Sequence, residues 1–264
     1  MIPLMEDNPS TPGRPLEGYG HAATGRLREL LGGELLAAYL IGSGALGGFA
    51  PDQSDIDIVA VCTEPQSDAR KQAIVAGLSL LAMTWPLRGL EFVLYTQAAV
   101  ARPARTPRFE INLNVGRRMP QHVSLDPASE PSHWFVLDLS ILRGHGLALT
   151  GPPAGELVGP VPRSWVLEAL RDSLAWHAAH ESLLHQTVLN ASRGWRYVEE
   201  GVWSSKDDAG AWALPRTDDP SLVVAALAIR HGDRSGTLDP ARVHAFQRGV
   251  QAVVEHALGE AGTA

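Results

Sequence analysis

Two aspartates, Asp55 and Asp57, open "DIDIVAVC", a run otherwise made of Ile, Val, Ala and Cys. Side chains alternate across a strand, so Asp55, Asp57 and Val59 point one way while Ile56 and Ile58 point the other. Carboxylates sharing a partly desolvated face repel, and the arrangement is tolerable chiefly when a cation or a shared proton lies between them. A hard divalent ion such as Mg²⁺ suits best, because it takes oxygen ligands and commonly binds through one or two carboxylates plus substrate phosphates. The competing reading is an edge strand whose outer face carries aspartate for solubility.

The preceding turn, "YLIGSGALGG", supplies what an anion needs. Gly42, Ser43 and Gly44 can bring backbone N–H groups and a hydroxyl close to a phosphate, with glycine removing the side-chain obstruction. Anion and metal would then meet in one place.

Hydrophobic periodicity outlines the elements that must hold these residues. "AATGRLRELLGG" reads as a helix with a glycine stop, "ELLAAYL" and "DIDIVAVC" as strands, "ARKQAIVAGLSLLAM" as an amphipathic helix and "LEFVLYTQ" as a strand. In "FEINLNVG", Phe109, Ile111, Leu113 and Val115 alternate with Glu110, Asn112 and Asn114, which predicts one buried and one polar face. Residues 1–20, with four prolines, are expected to be irregular, and "HWFVLDLSILRGHGLALTGPP" is apolar without a decisive period. Beyond residue 160 the texture is helical, closing on a helix with Asp239 as N-cap and Pro240 in its first turn. The expected fold is α/β (α+β), with a small mixed sheet in residues 1–160 and an all-α domain in residues 161–264.

Composition narrows the classes of partner. Twenty-two basic against 29 acidic residues give a net charge of −7, and the basic residues are scattered, which argues against nucleic acid. No apolar run approaches the roughly 18 to 20 residues that span a bilayer, so no membrane is expected. The single cysteine, Cys62, excludes an intramolecular disulfide, and no basic flank with an apolar run marks a secretory signal. A cytoplasmic monomer is the expectation.

The stretch "GSGALGGFAPDQSDIDIV" resembles the signature of the nucleotidyltransferase superfamily, a glycine-serine turn followed by D-x-D on a strand. The order of elements resembles the aminoglycoside adenylyltransferases that act on streptomycin and spectinomycin, with a C-terminal helical domain. The resemblance implies a nucleotidyltransferase domain that moves AMP from ATP to a hydroxyl and releases pyrophosphate. It implies two Mg²⁺ ions on Asp55 and Asp57, and phosphates held by Gly42, Ser43, Gly44 and Ser54. In "LRGLEFVLYT", Glu91 occupies the place of the family's general base. In "TVLNASRGWRYVEEGVWSSKDDAGAWA", Arg193 and Lys206 match a triphosphate-binding arginine and lysine. Without the resemblance, Glu91 is a solvated strand-end glutamate, and Arg193 and Lys206 are ordinary surface cations.

The acceptor side departs from the family. Its tryptophan in an F-G-E-W-like stretch is absent from "FEINLNVGRR", and Glu181 is the one acid in "WHAAHESLLHQTVLNASRGW". A polycationic drug needs carboxylate partners when desolvated. Glu110, Asn112 and Asn114 on one strand face, with Glu181, are the candidates for acceptor binding. His177, His180 and His185 are expected on a helix surface. Three functions remain open: an adenylyltransferase acting on an antibiotic or related aminocyclitol, the same chemistry on a metabolite or protein, and a nucleotide-binding module without transfer.

Overall fold

The computed structural model describes residues 14–50, 53–80, 82–85, 88–181 and 183–261. Helix α1 (Arg14–Leu31) passes through a 3₁₀ turn into strand β1 (Leu35–Leu40), and the one-turn helix α2 (Gly42–Ala45) precedes β2 (Ile56–Cys62). Next come α3 (Asp68–Gly77), β3 (Leu90–Thr96), α4 (Gln97–Ala101), β4 (Phe109–Val115), β5 (His122–Ser124), α5 (Ser132–His145) and β6 (Leu147–Thr150). The rest is helical: α6 (Ala154–Leu157), α7 (Arg163–His180), α8 (Leu184–Glu200), α9 (Lys206–Ala213), α10 (Pro220–Arg230) and α11 (Pro240–Ala261).

The strands form the expected mixed sheet, and its order is β5-β4-β3-β2-β1-β6. β2 and β3 run parallel, and the other neighbouring pairs are antiparallel. Both faces of β2 and β3 are covered, which is why they read as near-continuous apolar runs. On one face Ile56, Ile58, Phe92 and Leu94 pack with Leu27 and Leu31 of α1 and Ile74 of α3. On the other, Val59, Val61, Val93 and Tyr95 pack with Phe135 and Leu142 of α5, Leu170 of α7, Ala191 of α8 and Val250 of α11. This second core continues past residue 160, so the sheet and the helical half share one apolar interior. No helix among the described residues is long and apolar enough to cross a membrane.

Three local expectations change. Residues 14–20 are helical, because Leu16 and Tyr19 extend the buried stripe of Ala23, Leu27 and Leu31, and Pro15 sits in the first turn, where its missing N–H is tolerated. Residues 1–13 lie outside the described residues. The apolar segment without a period resolves into α5 and β6; α5 is buried on several sides, which erases the amphipathic signal.

The third change is in β4. Leu94 pairs with Ile111 but Tyr95 pairs with Phe109, which leaves Glu110 as an extra, bulged residue. Phe109 thereby turns toward the helices and meets Phe135 at 4.8 Å between ring centroids, while Ile111, Leu113 and Val115 stay on the α1 and α3 side. The continuous alternation expected over 109–115 is broken at its first step.

The approach to β3 depends on Gly89, whose φ of +126° lies in the region that side chains rarely adopt and whose added methyl would overlap the Val115 carbonyl. Gly89→Ala is expected to lose about 2 kcal/mol or more of stability in urea unfolding. Parent-like stability would contradict this close approach.

Candidate active site

Sheet register assembles the site. Asp57 pairs with Glu91, Glu91 with Asn114, and Asn114 with His122, so four adjacent strands contribute a row of polar side chains. The row extends the sheet face that carries Val59 and Val93 beyond the apolar core. It lines a cavity of about 500 Å³ whose opposite wall comes from α5, α7, α8 and the start of α9, within the size range of small-molecule sites. Asp55 stands just before β2, with Oδ2 3.6 Å from Arg88 Nε.

The turn at Gly42 is tied to this row. Gly42 has φ +52°, and a methyl there would overlap the Asp57 carboxylate, so both conformation and space demand glycine. Ile41 N–H donates to Asp57 O at 3.0 Å, fixing the turn to β2. Ser43 lines the cavity with a buried hydroxyl that has no hydrogen-bond partner among the described residues. Ser54 also lines it and accepts from Ala50 N–H at 3.0 Å. Gly44 instead faces Leu16 and Leu40, because α2 carries it around to the α1 side. Gly48 lines the cavity, and its carbonyl accepts from Arg230 Nη2 at 2.7 Å.

The helical half supplies cations. Arg193 projects from α8 with a buried Nε that has no hydrogen-bond partner among the described residues. Lys206 opens α9, whose N-cap Ser205 accepts from Asp208 N–H at 3.0 Å, and its ammonium donates to Gln186 Oε1. Arg230 ends α10 and bonds Asp207 at 3.2 Å. Asp138 of α5 joins the same cavity.

Several of these groups are deeply buried. Burial, then the nearby Asp55 and Asp138, pushes the Asp57 carboxyl well above its ordinary range. Burial with Asp55 and Asp57 does the same to Glu91. Asp138 is raised to about 7 by burial, against the opposing pull of Arg193. Lys206 falls to about 8 through burial and the neighbouring Arg193.

A divalent cation would relieve the carboxylates and a polyphosphate would relieve the cations, so the donor set fits both. Among the described residues no three metal-binding side chains converge to enclose an ion.

Comparison with known proteins identifies the family. Residues 156–253 match the family model of the aminoglycoside adenylyltransferase C-terminal domain. An aminoglycoside (3'') (9) adenylyltransferase of Klebsiella pneumoniae is 32% identical over 194 residues, covering 69% of this chain and 72% of that protein. The chain belongs to the aminoglycoside adenylyltransferase family. A spectinomycin 9-adenylyltransferase of Staphylococcus aureus is 26% identical over 200 residues, 72% of this chain and 74% of that one. The crystal structure of a spectinomycin adenyltransferase from Enterococcus faecialis, with ATP and spectinomycin, has the same fold: its TM-score is 0.70 at 19% identity, over 90% of this chain and 99% of that chain.

In this adenylyltransferase Asn112, Asn114 and Glu181 face the cavity and Glu110 does not. The bulge takes Glu110 out of the row, and its carboxylate pairs with Lys71 at 2.9 Å and accepts from Gln66 N–H at 3.0 Å. His177, expected on a helix surface, is 8% exposed and lines the cavity beside Trp134 and Trp176. Its Nε2 lies 3.3 Å from Asn190 Nδ2, and burial followed by Lys206 lowers its pKa to about 4, leaving it neutral at pH 7. His180 is exposed and stacks on Trp176, whereas His185 is half-buried, with its pKa lowered by burial and Lys206.

Sequence reasoning missed Asp138, Arg88, Arg230, Trp134 and Trp176. For Asp138 a signal existed: a lone acid inside "WFVLDLSIL" is the same anomaly that marks the paired aspartates.

Between the unfolded value of about 3.9 and its folded value of about 7, Asp138 keeps its proton in the folded state and loses it in the unfolded state, so its contribution falls as pH rises. In metal- and nucleotide-free buffer, Asp138→Asn is expected to gain stability relative to the parent across that window. The gain is on the order of 1 kcal/mol per pH unit. A difference in urea-unfolding free energy that stays flat with pH would refute the raised pKa.

Proposed function

We propose that this adenylyltransferase moves AMP from ATP to a hydroxyl of an aminoglycoside or aminocyclitol antibiotic and releases pyrophosphate. The observation that carries the reading is the in-register pairing of Asp57 with Glu91, opposite Arg193 and Lys206 in one cavity. ATP phosphates lie against the Gly42–Ser43 turn and Ser54, with the Ser43 hydroxyl and Arg193 Nε, which lack partners among the described residues, as ready donors. Residues 1–160 supply the carboxylates and residues 161–264 most of the cations, so the nucleotide sits at the seam of the two halves.

Asp55 and Asp57 would hold two Mg²⁺ ions, which when bound neutralise phosphate charge and acidify the acceptor hydroxyl. Glu91 takes the hydroxyl proton; burial and neighbouring aspartates raise its proton affinity, as a base requires. The acceptor oxygen forms a bond to the α-phosphorus, the bond to the bridging oxygen breaks, and pyrophosphate leaves with the electron pair. Arg193 and Lys206 hold the departing end, so the protein contributes mainly positioning and charge stabilisation. Asn112, Asn114 and Glu181, beside Trp134 and His177, receive the acceptor.

A second reading keeps the chemistry and replaces the antibiotic with another hydroxyl-bearing metabolite or a protein. The neutral Asn112, Asn114 and His177 favour it, since a polycation needs more fixed negative charge.

ATP-dependent pyrophosphate release, measured with spectinomycin, streptomycin and a panel of hydroxyl-bearing metabolites, tests both. Release with an antibiotic supports the first reading, release with other acceptors alone supports the second, and ATP binding without release points to a silent module. Asp57→Asn is expected to abolish release in a folded protein, and retained turnover would refute its role. Glu91→Gln should preserve ATP binding and lower kcat by about 10²- to 10⁴-fold. A loss confined to ATP affinity would make Glu91 a ligand instead of the base.

A further inference from the structure

Arg88 belongs to none of the motifs that point to the nucleotide, yet it lines the cavity. Its Nε is 3.6 Å from Asp55 Oδ2, and the two side chains are 34% and 22% exposed. The backbone beneath it is pinned, because methyl groups on Gly89 or Gly116 would overlap the carbonyls of Val115 and Arg88 respectively. The guanidinium is thus delivered by a fixed backbone but held by a loose ion pair. The other cavity cations differ: Lys206 is bonded to Gln186, Arg230 to Asp207 and Gly48, and Arg193 is buried in α8.

A guanidinium and a divalent ion repel each other when both neutralise the same carboxylate. We infer that Arg88 is an exchanging counter-charge, which pairs with Asp55 while no divalent ion is bound there and shifts to phosphate oxygens of the nucleotide once the ion takes the carboxylate. The inference rests on the assignment of Asp55 and Asp57 as Mg²⁺ ligands. The planar guanidinium suits the new partner, since its fork of N–H donors matches phosphate as well as carboxylate. Metal and nucleotide then bind cooperatively, because the nucleotide gives the displaced cation an anionic partner.

Two measurements without turnover test this: Mn²⁺ binding to the nucleotide-free protein by electron paramagnetic resonance, and calorimetric binding of α,β-methylene-ATP with Mn²⁺ present. Arg88→Gln is expected to bind Mn²⁺ about two- to fivefold more tightly, the worth of an exposed ion pair, and the analogue about tenfold more weakly. Arg88→Lys should recover part of the analogue binding, because ammonium keeps the charge without the fork. Damage to the fold would weaken both ligands, so the opposite signs are diagnostic. Unchanged or weaker Mn²⁺ binding, or unchanged analogue binding, overturns the exchange. Mn²⁺ binding that survives Asp57→Asn overturns the metal assignment and the inference with it; binding lost there but unchanged in Arg88→Gln overturns the exchange alone.

Discussion

Like-charged side chains directly opposite each other on neighbouring strands work against the sheet that holds them. Asp57 and Glu91 are in that position, and Asp55 and Asp138 add to the same field. The pairing persists because it lies at the end of strands whose other residues are buried on both faces. Ile56, Ile58, Val59, Phe92 and Val93 leave β2 and β3 no freedom to slip, since a shift of one residue would exchange the two packed faces. Apolar packing therefore holds the carboxylates together against their repulsion.

The same constraint explains the position of the helical half. Arg193, Lys206 and Arg230 come from α8, α9 and α10, and all three reach the sheet's acidic end across a seam closed by shared apolar side chains. Arg230 crosses the seam directly, joining Asp207 beside Lys206 to the Gly48 carbonyl on the loop after the Gly42 turn. Opposite charges on two walls of one cavity, many of them buried, leave both sets unsettled: carboxyl pKa values rise and Lys206 falls. A ligand carrying both signs, such as a metal-bound triphosphate, meets both needs at once.

Several strands and the paired aspartates are legible locally, because apolar runs mark the strands, while a carboxylate in such a run and a glycine-serine turn are anomalies that neighbouring residues reveal. Glu91 and Lys206 are harder to read, since a strand-end glutamate and a helix-start lysine have ordinary solvated explanations. His177 and Glu110 show where local reading fails. The spacing around His177 matches a helix surface, yet α5 and α8 cover that surface and bury the imidazole. The alternation at Glu110 looks unbroken, but pairing with β3 inserts a bulge and sends its carboxylate to Lys71.

The sequence alone determined several of the strands, the helical texture beyond residue 160 and the anomalous pair Asp55 and Asp57, because those follow from periodicity and from chemistry packed into a few adjacent residues. Tertiary structure decided that Asp138, Arg88 and Arg230 share the cavity, and that Glu110 leaves the row while His177 enters the wall opposite. It also decided that one of the apolar cores runs across residue 160. These outcomes depend on strand register and on which helices cover which faces, and both arise from contacts between residues far apart in the chain.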